Sequence, residues 1–303
     1  MSQGTASKQL LRESTREAIR GYLFAAPWLI GFLIFTLYAI GSVVYFSFTK
    51  FPLFKPPEWI GLENYKELFL VDPLFKVALY NTFYYVVLSV PLGLLFAFLL
   101  ALFLNQKIKG RTWFRITFYM PSIVPIVATS VIWMWIFNPN FGLLNWFLGL
   151  LRIPGPSWLG SIEWAKPALI LMHFWGVGGS MVIFLAGLQD IPEQLYEAAS
   201  IDGAGRVRKL IFITIPMMTP TILFNLVMGI IWGFQTFAQA FVMTRGGPGN
   251  ATLFYALYLY MTAFEYLKMG YASSQAIVFF FIILIVTAIV MRSSGRWVYY
   301  GQG

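Results

Sequence analysis

The chain has 303 residues, of which 59% are hydrophobic and only 11% charged, with a mean hydropathy of +0.72. A soluble domain carries about a quarter charged residues, so composition excludes a soluble globular enzyme, a disordered chain and a fibrous one, and leaves a polytopic membrane protein. The formal net charge of +9 reads as the Lys and Arg excess of cytoplasmic loops, with no nucleic-acid partner expected.

With no cysteine and a single histidine, His173, the chain offers no disulfide framework, no thiolate nucleophile and no multi-histidine metal site. No catalytic residue and no metal ligand are expected.

Six blocks, nearly free of charge, follow one another at 21–49, 77–106, 116–151, 167–189, 210–244 and 269–291. About 20 residues cross the ~30 Å hydrocarbon core as a helix, and lipid demands that backbone groups pair internally. The expected architecture is therefore all-α, with spans near 22–48, 78–105, 113–137, 167–188, 217–243 and 272–292. Residues 1–21 form an N-terminal segment in which 7–20 reads as a polar surface helix, and 293–303 form a tail. The first block is too long for a signal-peptide core and lacks a small-residue cleavage site, so it is expected to be retained. Residues 141–151 (FGLLNWFLGLL) are apolar but too short to cross; an interfacial helix or plug and a longer third span are both open readings.

Six spans put both termini on one side. The segments on that side hold 13 Lys and Arg against 8 on the other, which makes the side of the termini cytoplasmic.

The loop between the fourth and fifth spans, 190–216, carries unusual structure. Asp190 with Glu193 three residues on has the form of a capping box, and Pro192 suits a first helical turn. Leu195, Ala198 and Ala199 make a small apolar stripe. Gly203 and Gly205 then break the helix, one of them in a left-handed conformation, before a second helix leads to Pro216 and Pro220. Alanines permit close approach of another protein, and Glu197 and Asp202 offer acidic contacts to arginines.

Glu197-Ala198-Ala199, Asp202-Gly203-Ala204 and Ile213-x-Ile215-Pro216 together resemble the EAA loop of ABC importer permeases. Spacing agrees throughout, with Ile215 in place of the family's Leu. Gly21 to Trp28, Met120-Pro121, Trp133 to Asn145, and Thr244 to Pro248 followed by Gly270-Tyr271-Ala272 resemble the carbohydrate-uptake branch. This branch includes the maltose-importer F subunit and the shorter multiple-sugar and glycerol-3-phosphate permeases.

That resemblance implies a type I importer permease fold (MetI-like) in a bacterial or archaeal cell membrane. It implies uptake of a carbohydrate, with an oligosaccharide expected. It also implies a second related permease, two ATPase subunits and an extracellular solute-binding protein as partners. Glu197, Ala198, Ala199, Asp202, Gly203, Ala204 and Pro216 would couple the chain to the ATPase. The sequence has no G-x-x-x-x-G-K-[ST] phosphate loop, so ATP and Mg²⁺ would bind the partner subunits and this chain would bind no cofactor.

A sugar needs hydrogen-bond partners for its hydroxyls and a flat aromatic surface for its apolar faces. Trp175, Gly176 and Gly179 in the fourth span, and Trp232, Gly233, Gln235, Thr236 and Gln239 in the fifth, are the candidate substrate-binding residues. Trp232, Gln235, Thr236 and Gln239 follow i, i+3, i+4, i+7 on one helical face, and a polar face within lipid turns toward the bundle or a water-filled path. Interhelical hydrogen bonding is the competing role, and His173 reads as a packing residue. Permeation of glycerol-3-phosphate or another polyol-type solute is the alternative within the family. A secondary transporter or channel is the distant one, opposed by the lack of acidic residues inside any span.

Overall fold

The computed structural model describes residue 17 and residues 19–106 and 109–299. Most of the surface helix expected at 7–20, and residues 300–303 of the tail, lie outside them. The described residues are helical apart from one small hairpin, Thr49–Lys50 (β1) with Glu58–Trp59 (β2), and the connecting turns.

α1 (Ile19–Ser47) is apolar along its length, and its most hydrophobic stretch buries nothing within the chain. α2 (Pro73–Asn105) is the central helix. It begins before the apolar block does, because Asp72 Oδ1 accepts the Leu74 and Phe75 backbone N–H groups at 2.8 and 3.3 Å and Pro73 sits at the first position. Fully buried Ala97 and Ala101 let neighbouring helices approach it closely.

The third block is not a straight span. α3 (Arg111–Tyr119) passes through a 3₁₀ turn, Met120–Ile123, and α4 (Ile126–Ile136) leaves at 102°. Pro121 and Pro125 remove two backbone donors, and Pro125 holds Val124 extended at φ −68°, ψ 129°, which together break the helix. After α4, Asn138 Oδ1 accepts the N–H groups of Asn140 and Phe141 in a turn that ends the helix. α5 (Leu143–Leu150) is thus a separate short helix with no buried residue, and residues 141–151 do not prolong the third span.

The fourth block is a second bent pair, α6 (Ala165–Trp175) and α7 (Gly178–Gln189), at 46°. α8 (Glu193–Ile201) follows outside the bundle. A helical turn, Arg206–Lys209, runs through a wide turn at Leu210–Thr214 into α9 (Ile215–Phe234), and α10 (Ala238–Met243) continues after a break at 235–237. α11 (Tyr255–Tyr260) and α12 (Met269–Ser294) complete the chain. Among the described residues, four helices, one of them the Arg206–Met243 run with its break, and two bent pairs are long and apolar enough to make up to six crossings.

Two apolar clusters hold the bundle. One lies toward the α8 end and centres on Ala97, Ala101, Met181, Phe184 and Met218. The other lies toward the opposite end and includes Tyr85, Phe234, Tyr255 and Phe279. At the opposite end Asn81 Nδ2 donates to the Asn250 and Leu253 carbonyls, and the Tyr255 N–H donates to Thr82 Oγ1 at 2.8 Å. These bonds satisfy polar groups that lipid could not. At the α8 end the Tyr299 N–H donates to Thr219 Oγ1 at 2.8 Å, which ties the C-terminal tail to α9.

Candidate functional site

α8 is a short, accessible helix with no buried residue. Pro192 occupies its N-cap position, and no side chain caps it. The expected capping box between Asp190 and Glu193 does not form: Asp190 instead ends α7, two residues too early to reach the first turn of α8. The other end follows expectation. Gly203 has φ +75°, the Gly203 N–H donates to the Ser200 carbonyl and the Ala204 N–H to the Ala199 carbonyl at 3.1 and 2.8 Å. This is a Schellman motif, and glycine enters the left-handed region without a Cβ penalty. Gly205, at φ −72°, needs no such freedom.

Two cross-braces hold α8 against the start of the next helix. Tyr196 Oη and Thr214 Oγ1 are 2.9 Å apart, and Lys209 Nζ donates to Ser200 Oγ at 2.5 Å. Glu197, Ala198, Asp202 and Gly203 are exposed, and Ala199, Ala204 and Pro216 half-buried. Beside them Ile201 is 88% and Val207 69% exposed. An ordered acidic helix flanked by bare apolar side chains is suited to docking another protein.

α7 and α9, the two helices joined through α8, also wall a cavity of about 470 Å³. α7 contributes Gly179, Ser180 and Ile183; α9 contributes Phe224, Asn225, Met228, Gly229, Trp232 and Gly233; Thr236 and Gln239 follow from the break and α10. Tyr85 of α2 and His173 of α6 close it. A second cavity of about 390 Å³ adjoins it, lined by Gly176, Ser122, Ile126 and Met172 among others. Trp232 is 65% exposed and Asn225 Nδ2 donates to the Thr221 carbonyl at 3.0 Å. Among the described residues, no Asp, Glu, Lys or Arg lines either cavity. Amides, hydroxyls and one bare indole suit a neutral polyhydroxylated solute.

Of the expected substrate residues, Gly179, Trp232, Gly233, Thr236 and Gln239 meet in the first cavity, and Gly176 lines the second. Trp175 lines neither and packs edge-on against Trp133, with ring centroids 6.1 Å apart. Gln235 is exposed and outside both. The expected single face fails there because α9 stops at Phe234 and Phe237 takes φ −133°, ψ −60°, so the helical spacing does not carry through. His173, read from the sequence as a packing residue, lines both cavities.

Tyr85 is absent from the residues that sequence reasoning selects. A signal for it exists: Asn81, Thr82, Tyr85 and Ser89 form a polar line along an otherwise apolar helix, which marks an inward face. The glycines divide by role. A Cβ on Gly233 would meet Val90 at 3.1 Å and one on Gly178 would meet the Phe118 carbonyl oxygen at 2.5 Å, whereas nothing lies within 4 Å of one on Gly179.

Residues 89–299 match the family model described as the binding-protein-dependent transport system inner membrane component. The chain belongs to this family. It is thus an inner-membrane component of a binding-protein-dependent transport system, as the family's description states, and its helices make up to six crossings.

The chain is 42% identical over 98% of its length, and 97% of the relative's, to a probable ABC transporter permease protein, YesP, of Bacillus subtilis. It is 35% identical to the arabinooligosaccharides transport system permease protein AraP of the same organism, over 93% of this chain and 90% of that one. It is also 35% identical to the sulfoquinovosyl glycerol transport system permease protein SmoG of Agrobacterium fabrum, over 89% and 88% of the two chains. In fold it matches a chain from the crystal structure of a bacterial alginate ABC transporter in complex with an alginate pentasaccharide-bound periplasmic protein. That match has a TM-score of 0.84 and 23% identity, and covers 97% of this chain and all of that one. The fold is that of an ABC importer permease.

Proposed function

We propose that this chain is one of two permease subunits of an ABC importer for a neutral carbohydrate, an oligosaccharide in particular. In this reading a solute-binding protein delivers the sugar and two ATPase subunits, which hold ATP and Mg²⁺, drive the cycle. The single observation that carries the reading is the covalent arrangement of the site: α7 and α9 wall the first cavity and are linked by α8 and the short turns that follow it. A displacement of the exposed α8 by a docked partner is therefore transmitted to the helices that hold the solute. The chain supplies no nucleotide site and acts as the non-catalytic subunit. The α8 end, with both termini, faces the cytoplasm.

Glu197, Ala198, Ala199, Asp202, Gly203, Ala204 and Pro216 form the docking segment. Trp232 stacks on the sugar ring, and Asn225, Thr236 and Gln239 bond its hydroxyls. Closure of the ATPase pair favours the conformer whose α8 position fits the closed pair, a population shift through differential contacts. The lack of cationic side chains among the described residues of both cavities supports a neutral sugar over glycerol-3-phosphate.

The test is to purify the chain with its sister permease and ATPase, and to screen saccharides with the binding protein for stimulated ATP hydrolysis. Stimulation by a neutral oligosaccharide, and none by glycerol-3-phosphate, is the expected result. An assembled complex that no saccharide stimulates overturns the proposal.

A further inference from the structure

α3 lines neither cavity, yet it carries a charge that the chain does not pair. Arg111, Arg115 and Phe118 follow i, i+4, i+7 on one face, and all three are half-buried. This face packs on α2 and α7: Phe118 joins the apolar cluster of Ala97, Ala101 and Met181. Ile116 and Tyr119 beside it are exposed, and Trp113, which looks away from the bundle, is 74% exposed.

The height of α3 in the membrane follows from its neighbour. The Phe114 ring stands edge-on to Phe103 with centroids 6.1 Å apart, and α2 ends two residues later at Asn105. The 33 residues of α2 make a helix of about 50 Å, against a hydrocarbon core of ~30 Å. The last turn of α2, and the first turns of α3 beside it, therefore stand at the headgroups of the leaflet at the α8 end. Trp113 suits that level, because indoles favour the interface.

Arg115 Nε and Nη2 are buried and make no hydrogen bond within the described residues. The charged neighbour of Arg115 is another cation, Arg111, and exposed Lys109 adds a third just before the helix. No Asp or Glu occurs between Asp72 and Glu163. The one ion pair among the described residues, Lys268 with Glu67, lies at the other end of the bundle. A guanidinium partly withdrawn from water beside like charges calls for an anion. The Arg115 side chain is only half-buried, so an anion can approach its open side. A lipid phosphate is the anion that this level of the membrane supplies.

We infer that α3 holds the headgroup of an anionic phospholipid from the leaflet at the α8 end. Lys109, Arg111 and Arg115 attract the phosphate, and Ile116 and Tyr119, one turn deeper, lie along the acyl chains. This site goes beyond the transport reading and stands whatever the solute is.

The test uses the transporter assembled from this chain and its partners in vesicles. No sugar or ATP is present, so failure of the carbohydrate reading leaves the outcome untouched. The probes are phosphatidylglycerol and phosphatidylcholine, each with a diazirine near the top of one acyl chain. After irradiation, mass spectrometry locates the label along this chain. Phosphatidylglycerol should label α3 at least roughly fivefold more than phosphatidylcholine, the effect of one nearby cation at about 1 kcal/mol. Arg111→Gln with Arg115→Gln should bring the ratio toward one. Arg292→Gln, at the end of α12, should leave it within about twofold. Inorganic phosphate added at constant ionic strength should not lower it.

No label on α3 means that a partner protein covers the helix, and overturns the inference. Equal labelling by the two lipids, or a ratio unchanged in the double variant, leaves lipid contact without selection and overturns it too. An equal loss in the Arg292→Gln chain assigns the effect to net charge, and competition by inorganic phosphate makes the occupant a free ion; either result overturns the site. If the double variant does not assemble, Arg111→Gln alone and the two lipids on the unaltered chain decide the matter.

Discussion

Tyr258 donates its hydroxyl to Asp72 Oδ2 at 2.5 Å, joining positions 186 residues apart in the chain. Tyr271 donates to the same oxygen at 2.6 Å, while Oδ1 caps α2. One carboxylate thus pins α11 and α12 to the start of the central helix. Asp72→Ala should cost about 2–4 kcal/mol, the sum of a lost cap and two buried phenols left unpaired. Denaturant unfolding of the detergent-solubilised chain measures it. A loss under about 0.5 kcal/mol, the level of an ordinary surface substitution, would show that the bonds are ornamental.

The same contact sets an alkaline limit. Burial, and then the Asp72 carboxylate it bonds, raise the Tyr258 phenol above its ordinary value. The unfolded phenol loses its proton near pH 10 while the folded one keeps it, so the unfolded state binds fewer protons as pH rises. Stability from this group is fully present below about pH 10 and falls above it. Tyr258→Phe should make the unfolding free energy less steep between about pH 10 and 11, checked by repeating the titration on both chains.

Adjacent glycines in α7 should respond oppositely to one methyl group. Gly178→Ala drives a Cβ into the Phe118 carbonyl, while Gly179→Ala points into open space. Overpacking against backbone costs about 1–3 kcal/mol, so Gly178→Ala should lower thermal stability and transport together. Gly179→Ala should leave stability within about 0.5 kcal/mol. Equal behaviour in a thermal-shift assay would mean that α3 does not pack where it is seen.

At Gly203 nothing lies within 4 Å of an added Cβ, so a side chain there meets only backbone strain, about 1–2 kcal/mol in the left-handed region. Gly203→Asn, which tolerates that region, should retain most transport. Gly203→Asp adds strain and a further negative charge to the exposed face of α8, and on the proposed docking role should lower uptake at least roughly tenfold, about 1.4 kcal/mol of coupling, with membrane insertion intact. Uptake assays on membrane-fractionated cells read both quantities; normal uptake by the Asp variant removes the docking argument.

Trp232 and Gln235 separate the cavity from its neighbourhood. Trp232→Ala should raise the KM for sugar roughly tenfold, since a lost stacking surface is worth about 1–2 kcal/mol. Gln235→Ala should change it by less than about twofold, a few tenths of a kcal/mol, because that side chain lies outside both cavities. Initial-rate uptake at varied sugar concentration checks the pair.

Much of this architecture was written in local chemistry. Uncharged blocks long enough to cross lipid marked the helices, because no other single element satisfies its own backbone there. The loop's spacing and Gly203 marked the exposed helix α8 and its left-handed stop, since only the identity of a few neighbouring residues decides a Schellman end. What the chain order could not disclose was everything that depends on where helices meet. The bend at Val177, the break that carries Gln235 away from Thr236 and Gln239, and the use of Asp72 as a joint all arise there. So does the placing of Tyr85 and His173 against both cavities. These follow from packing among segments up to roughly two hundred residues apart. In spans that are apolar nearly all the way round, periodicity alone does not say which face turns inward.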